Sequence, residues 1–237
     1  MRLDKLLANM GYGSRKDVKG LLKKKQVTVN DSLAKDGSMK VDPEKDTVKV
    51  SNDVVEYKKY IYIMMNKPPG YISATEDIRE KTVVDLLTPE IQHYNPFPVG
   101  RLDKDTEGLL LLTNDGQLAH QLLSPKKDVY KTYYAKIQGN VTEEDIQTFK
   151  QGISLEDGYM TKPAILNIIK SDSVSEVEIK ITEGKFHQVK RMFKAVNKEV
   201  VYLKRLGMGE LVLDPSLSLG KYRELSKDEL SYCQSLK

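Results

Sequence analysis

The sequence predicts an α+β protein of two domains, a small helical amino-terminal module and a larger domain built on a mixed, largely antiparallel sheet. Three observations predict it. Apolar residues recur at helical spacing near the start, strand-like apolar runs alternate irregularly with helical ones from residue 60 onward, and hairpin-like connections favour antiparallel pairing. A chain of 237 residues exceeds a typical single domain, and 39% hydrophobic residues beside 30% charged ones supply both a core and a wet exterior.

In the front module Leu3, Leu6, Leu7 and Met10 share one helical face, Gly11 and Gly13 stop that helix, and Ser14 can cap a second. The second helix buries Val18, Leu21 and Leu22 and leaves Arg15, Lys16, Lys19 and Lys23 for water. Residues 26 to 30 alternate as a strand, and Asn30-Asp31 reads as a turn. The positive charge of the chain lies here. Residues 1 to 60 carry 14 Lys/Arg against 9 Asp/Glu, while residues 61 to 237 carry 24 against 25. Such a density suits a phosphate backbone, and equally a solvated helical face.

The run Arg2-Leu3-Asp4-Lys5-Leu6-Leu7, then Gly13-Ser14-Arg15 and Val27-Thr28-Val29-Asn30, resembles the S4 RNA-binding domain. That resemblance implies RNA binding through Arg2, Arg15, Lys16, Lys19 and Lys23, and the passage from polar, charged residues 51 to 59 into an apolar run at Tyr60 places the boundary at residues 1–57 and 58–237.

The second domain opens with a compact apolar run at Tyr60 to Met65, which predicts a buried strand, and Asn66-Lys67-Pro68-Pro69-Gly70 must leave it as a rigid loop. Gly100 to Gly116 follows, with carboxylates at 103, 105 and 107 directly before an apolar strand, Leu109 to Thr113, and an Asn-Asp-Gly turn. An acidic loop on a rigid strand is a place for chemistry, or a plain solvated turn. Val129, Lys131, Tyr133, Ala135 and Ile137 share one face of a further strand, with other strands at 174 to 182, 200 to 206 and 211 to 213. Val189, Met192, Phe193 and Val196 mark the buried face of a helix that carries His187, Lys190 and Arg191 elsewhere. A polar terminal helix capped by Ser226 holds the single cysteine, Cys233.

Gly100-Arg101-Leu102-Asp103, continued through Asp105-Thr106-Glu107-Gly108-Leu109 and Thr113-Asn114-Asp115-Gly116, resembles the signature of the pseudouridine synthases of the RsuA branch. Asn66 to Gly70, Lys131-Thr132-Tyr133, Glu183 to Phe193 and Gly220 to Leu225 resemble its other motifs, in family order. The resemblance implies an enzyme that isomerises uridine in ribosomal RNA, the small-subunit 16S RNA before the large-subunit 23S RNA. It implies Asp103 as catalytic carboxylate, Lys190 as its cationic partner, Tyr133 beside the reacting base, and Arg101 and Arg191 at the substrate.

Those residue types suit the chemistry. A carboxylate that reacts as an anion benefits from a cation that holds its charge and orientation, and a tyrosine ring can stack on an extruded uracil. Arg101 can fill the gap left by a flipped base or hold a phosphate. Isomerisation needs no redox change and no group donor, so no cofactor is expected. Three histidines without paired spacing and one cysteine predict no metal site. The lone thiol, the absence of an apolar span and an unexceptional start predict a cytoplasmic protein with no membrane partner. A monomer is expected. Two rival readings remain. Asp103-Lys104-Asp105-Thr106 also fits the pattern of haloacid-dehalogenase-like phosphatases, although prolines and glycine break the strand that should precede such a nucleophile. A non-catalytic S4 RNA-binding protein is the other, and the joint presence of Asp103, Tyr133 and Lys190 argues against it.

Overall fold

The computed structural model describes residues 1–124 and 128–236. It divides into two compact units, one of residues 1–61 and 88–96, the other of residues 62–87 and 97–237.

In the first unit α1 (Leu3–Asn9) and α2 (Arg15–Lys23) pack over a small sheet. Ser14 forms the expected cap as a reciprocal box, because the Asp17 side chain accepts from the Ser14 backbone in return. Strands β1 (Val27–Val29), β2 (Ser32–Leu33), β3 (Val48–Val50) and β4 (Asp53–Val54) follow, in the order β2-β1-β3-β4. Asn30 and Asp31 both take positive φ, at 49° and 61°, the backbone that a two-residue antiparallel hairpin requires. Leu3, Leu6, Leu7 and Val18 meet Val27, Val29 and Val48 in the core. Residues 88–96, with the short helix α3 (Pro89–Gln92), also belong to this unit. His93 Nε2 there meets the carbonyl oxygen of Asn9 at 2.8 Å.

The second unit is built on a mixed sheet. Its strands are β5 (Tyr62–Lys67), β6 (Phe97–Pro98), β7 (Glu107–Thr113), β8 (Lys131–Gln138), β9 (Ile165–Lys170), β10 (Val174–Ile181), β11 (Glu199–Met208), β12 (Leu211–Val212) and β13 (Tyr222–Glu224). The path runs β13-β5-β7-β11-β8-β10-β9, with β12 on β11 and β6 on β7. Every described pairing between these strands is antiparallel except β7 with β11, so the expected α+β class and largely antiparallel sheet are what the chain forms. The parallel pair explains a glycine. Gly108 lies opposite Arg205 at φ +104°, and a Cβ there would run into the Arg205 carbonyl.

Helices α4 (Gly116–Leu123), α5 (Glu143–Gln151), α6 (Gln188–Ala195) and α7 (Lys227–Ser235) complete the unit. Asn114-Asp115-Gly116, read as a turn, also starts a helix, because Asp115 Oδ1 accepts from the backbone nitrogens of Gln117 and Leu118 and caps α4. Leu109 and Leu111 join Leu118, Leu122, Met208 and Cys233 in one core cluster. Phe149 of α5 and Phe193 of α6 bring their rings within 4.8 Å. Val189, Met192 and Phe193 form the buried face expected of α6, which sets Lys190 on another side of the helix.

Candidate active site

The loop that precedes β7 is anchored through its own backbone. Lys67, the last residue of β5, is completely buried, and its ammonium donates to the carbonyl oxygens of Pro68 (3.1 Å), Asp103 (3.0 Å), Lys104 (3.2 Å) and Thr106 (2.9 Å). Three protons serve four acceptors, so at least one is shared. The Ser73 hydroxyl donates to the Leu102 carbonyl and accepts from the Leu102 nitrogen, both at 3.0 Å, and Gly70 N donates to Lys104 O at 2.8 Å. With the backbone tied from below, the Asp103 side chain is set in place as the loop folds. Burial pushes the Lys67 pKa down to about 8, although the nearby charges of Asp105, Asp103 and Glu107 oppose that fall.

The opposite wall is the segment from β10 into α6. Gln188 is buried and closes it, accepting from Lys185 N at 2.9 Å and donating to Glu183 Oε1 at 2.7 Å. Glu183 in turn accepts from Lys162 N and the Tyr159 hydroxyl. His187 is forced into the left-handed region at φ 49°, which aims its ring at Asp103, with Nε2 3.5 Å from Oδ1.

His187 and Lys190, remote from the loop in sequence, therefore converge on Asp103. Lys190 Nζ lies 3.3 Å from Asp103 Oδ2, and it also reaches both oxygens of Asp105, at 2.7 and 2.9 Å. Burial works against the Lys190 ammonium, but its hydrogen bond to Asp105 and the charges of Asp103 and Asp105 outweigh that and hold its pKa above the ordinary value. Asp105 shows the reverse, since its own desolvation is overcome by Lys190 and its pKa falls below the usual range. Tyr133 is 7% exposed and lines the pocket with Arg101, Asp103, Thr106, Ile181 and His187. Thr106 Oγ1 is buried without a partner among the described residues. The Arg101 side chain is exposed at the mouth.

Arg191 is placed differently. It does not line that pocket, and its guanidinium is held by Glu156 (2.7 Å) and Asp157 (2.6 Å), which raise its pKa. It braces α6 against the 156–157 turn. Among the described residues no three His, Cys, Asp or Glu side chains converge as metal ligands, and no helix is long and apolar enough to cross a membrane.

Residues that the sequence reading left without a role include Lys67, Asp105 and Gln188. Asp105 and His187 stood within the motifs already singled out. Lys67 stood there too, within the Asn66 to Gly70 loop that follows the apolar strand.

In the first unit Arg2, Arg15, Lys16, Lys19 and Lys23 line one concave surface, joined by Lys35. Arg2 is partly engaged there by Asp4, at 2.7 Å.

Comparison with known proteins agrees with both halves. A family model described as RNA pseudouridylate synthase matches residues 61–195, and an S4 domain model matches residues 1–48. The chain is 58% identical to an uncharacterized RNA pseudouridine synthase, YtzG, of Bacillus subtilis (strain 168), over 97% of each chain. It is 36% identical to the ribosomal small subunit pseudouridine synthase A of Escherichia coli (strain K12), covering 98% of this chain and 99% of that one. A crystal structure of a pseudouridylate synthase is similar at a TM-score of 0.69 and 34% identity, with all of both chains covered. The chain belongs to the RNA pseudouridylate synthase family, in the RsuA branch that carries an amino-terminal S4 domain.

Proposed function

We propose that this enzyme converts a uridine of small-subunit ribosomal RNA to pseudouridine, with Asp103 as its catalytic carboxylate. The observation that carries the reading is the setting of that carboxylate, three-quarters withdrawn from solvent, between Lys190 and His187 and in one pocket with Tyr133. The small-subunit target is supported by the names of relatives from Escherichia coli and Yersinia pestis, at 36% and 38% identity over nearly the whole chain.

In this reading the uridine leaves its stack and enters beside Tyr133, while Arg101 occupies the space vacated or holds a phosphate. The bond from ribose to the base nitrogen breaks, the uracil turns while bound, and its carbon 5 bonds to the sugar. Carbon 5 loses a proton and the former glycosidic nitrogen gains one, so nothing enters or leaves and no cofactor is needed. Two routes are open to the Asp103 anion, attack at the sugar carbon or removal of a sugar proton. The S4 unit holds the RNA through Arg2, Arg15, Lys16, Lys19 and Lys23. The enzyme works as a monomer in the cytoplasm, on RNA within an assembling small subunit.

The test incubates wild type and Asp103→Asn with unmodified 16S and 23S ribosomal RNA and with assembling subunits, then maps pseudouridine by carbodiimide-dependent reverse-transcription stops. One dominant stop in 16S RNA with wild type and none with the variant is expected, at nearly equal RNA affinity. A stop in 23S RNA alone would move the substrate to the large subunit, and modification by the variant would remove Asp103 from its role.

A further inference from the structure

Phe186 has no task in the reading above, yet it is 71% exposed beside the pocket, whereas Phe149 and Phe193 are fully buried. Its ring stacks on the His187 imidazole, with centroids 3.7 Å apart and planes inclined by 18°. His187 in turn stands 3.5 Å from the Asp103 carboxylate. The two rings form a partition. They border the cleft that holds Asp103 and Arg101, and they border a broader groove along α6 whose walls carry Lys190, Arg191, Lys194 and Lys198.

That groove is unlike a peptide seat, because Phe186 and Val200 are the only apolar residues of its lining. Arg191 is paired with Glu156 and Asp157, Lys190 with Asp103 and Asp105, and Lys198 with Asp145 at 2.8 Å, which leaves Lys194 facing Glu199 and the solvent as the cation of the described lining outside these ion pairs. Lys194 is exposed on α6, one helical turn beyond Lys190. An exposed aromatic face with an available cation beside it is how one nucleotide of a single strand is held, base on the ring and phosphate on the cation, whatever its sequence.

The geometry points to a second nucleotide position: the nucleotide adjoining the everted uridine stacks its base on the Phe186–His187 pair, with its phosphate beside Lys194. This rests on the assignment of Asp103 as the site where uridine reacts. The strained backbone of His187 acquires a purpose, since it turns one ring to serve the carboxylate on one side and the platform on the other. Such a platform also keeps the RNA strand from recoiling once the uridine has left its stack.

The test measures tritium released from carbon 5 of labelled uridine in transcribed 16S and 23S ribosomal RNA and in assembling subunits, for wild type, Asp103→Asn, Phe186→Ala, Phe186→Tyr and Lys194→Gln. Because Phe186 is exposed, its replacement leaves the fold intact, which thermal melting checks. Phe186→Ala is expected to raise KM about tenfold, more than it lowers kcat, and Phe186→Tyr to restore it. Lys194→Gln should raise KM and flatten its salt dependence. An unchanged KM for Phe186→Ala, or a tyrosine variant as impaired as the alanine one, would overturn the platform, while release by wild type and none by Asp103→Asn keeps the Asp103 reading standing. No release by wild type from any of these substrates would overturn both.

Discussion

Lys190 stands closer to Asp105 than to Asp103, with its ammonium 2.7 and 2.9 Å from the two Asp105 oxygens and 3.3 Å from Asp103 Oδ2. One cation is thus shared by a solvent-facing carboxylate and a sheltered one, with side chains 72% and 25% exposed. Asp105 steadies Lys190 at the rim, and Lys190 presents the remainder of its charge to Asp103. The loop gathers its acids at 103, 105 and 107 without wasting them, because Glu107 accepts from the Tyr202 hydroxyl on the sheet at 2.7 Å.

The two partners of Lys190 should therefore separate on mutation. Lys190→Met leaves both carboxylates without their shared cation and is expected to lower kcat by about a hundredfold, or roughly 3 kcal/mol. Asp105→Asn lets Lys190 settle on Asp103 and should cost less than about tenfold. Single-turnover rates on ribosomal RNA check both, and equal losses would place Asp105 in the chemistry itself.

The concave surface of the first unit gives an electrostatic prediction. Arg15, Lys16 and Lys19 are exposed and line it together, so replacing all three with glutamine removes charge and leaves the buried face of α2 untouched. RNA affinity should fall, and the slope of its logarithm against that of salt concentration should flatten by about 2. Filter binding over a salt series checks this, and an unchanged slope would take α2 out of the interface.

Much of this was legible in the sequence where one local rule decides. Helical spacing placed Val189, Met192 and Phe193 inward and so freed Lys190, and the Ser14 and Ser226 caps formed as expected. Pairings between distant segments were not legible. Nothing in the 100–108 loop announces that β11 will lie parallel to β7, yet that neighbour is what demands Gly108. A boundary between residues 57 and 58 assigns residues 88–96 to the second domain, and their place with the first unit depends on contacts such as His93 with Asn9. Strand β9 was missed because its alternation leaves Ile165 and Ile169 exposed on an edge strand, where apolar residues are poor guides to burial. Arg191 sits beside Lys190 in sequence, but the next position on a helix points about 100° away, toward Glu156 and Asp157.

Lys67 gives the last prediction, through its proton. The unfolded chain keeps that proton until about pH 10.5, whereas burial makes the folded protein release it near pH 8. Between those values the unfolded state binds more protons, so the contribution of this group to stability rises with pH. Lys67→Met lacks the titration, and the stability of wild type relative to it should improve by about 2 kcal/mol from pH 7.5 to 9.5, several degrees in melting temperature. Activity should move the other way. A neutral amine has two protons for the four carbonyls of the Asp103 loop, so kcat in wild type should decline above about pH 8 while the fold grows firmer. Parallel melting and rate profiles decide the matter: a melting difference between wild type and Lys67→Met that stays flat across this range would mean that Lys67 keeps its proton and that the loop is anchored by a permanent cation.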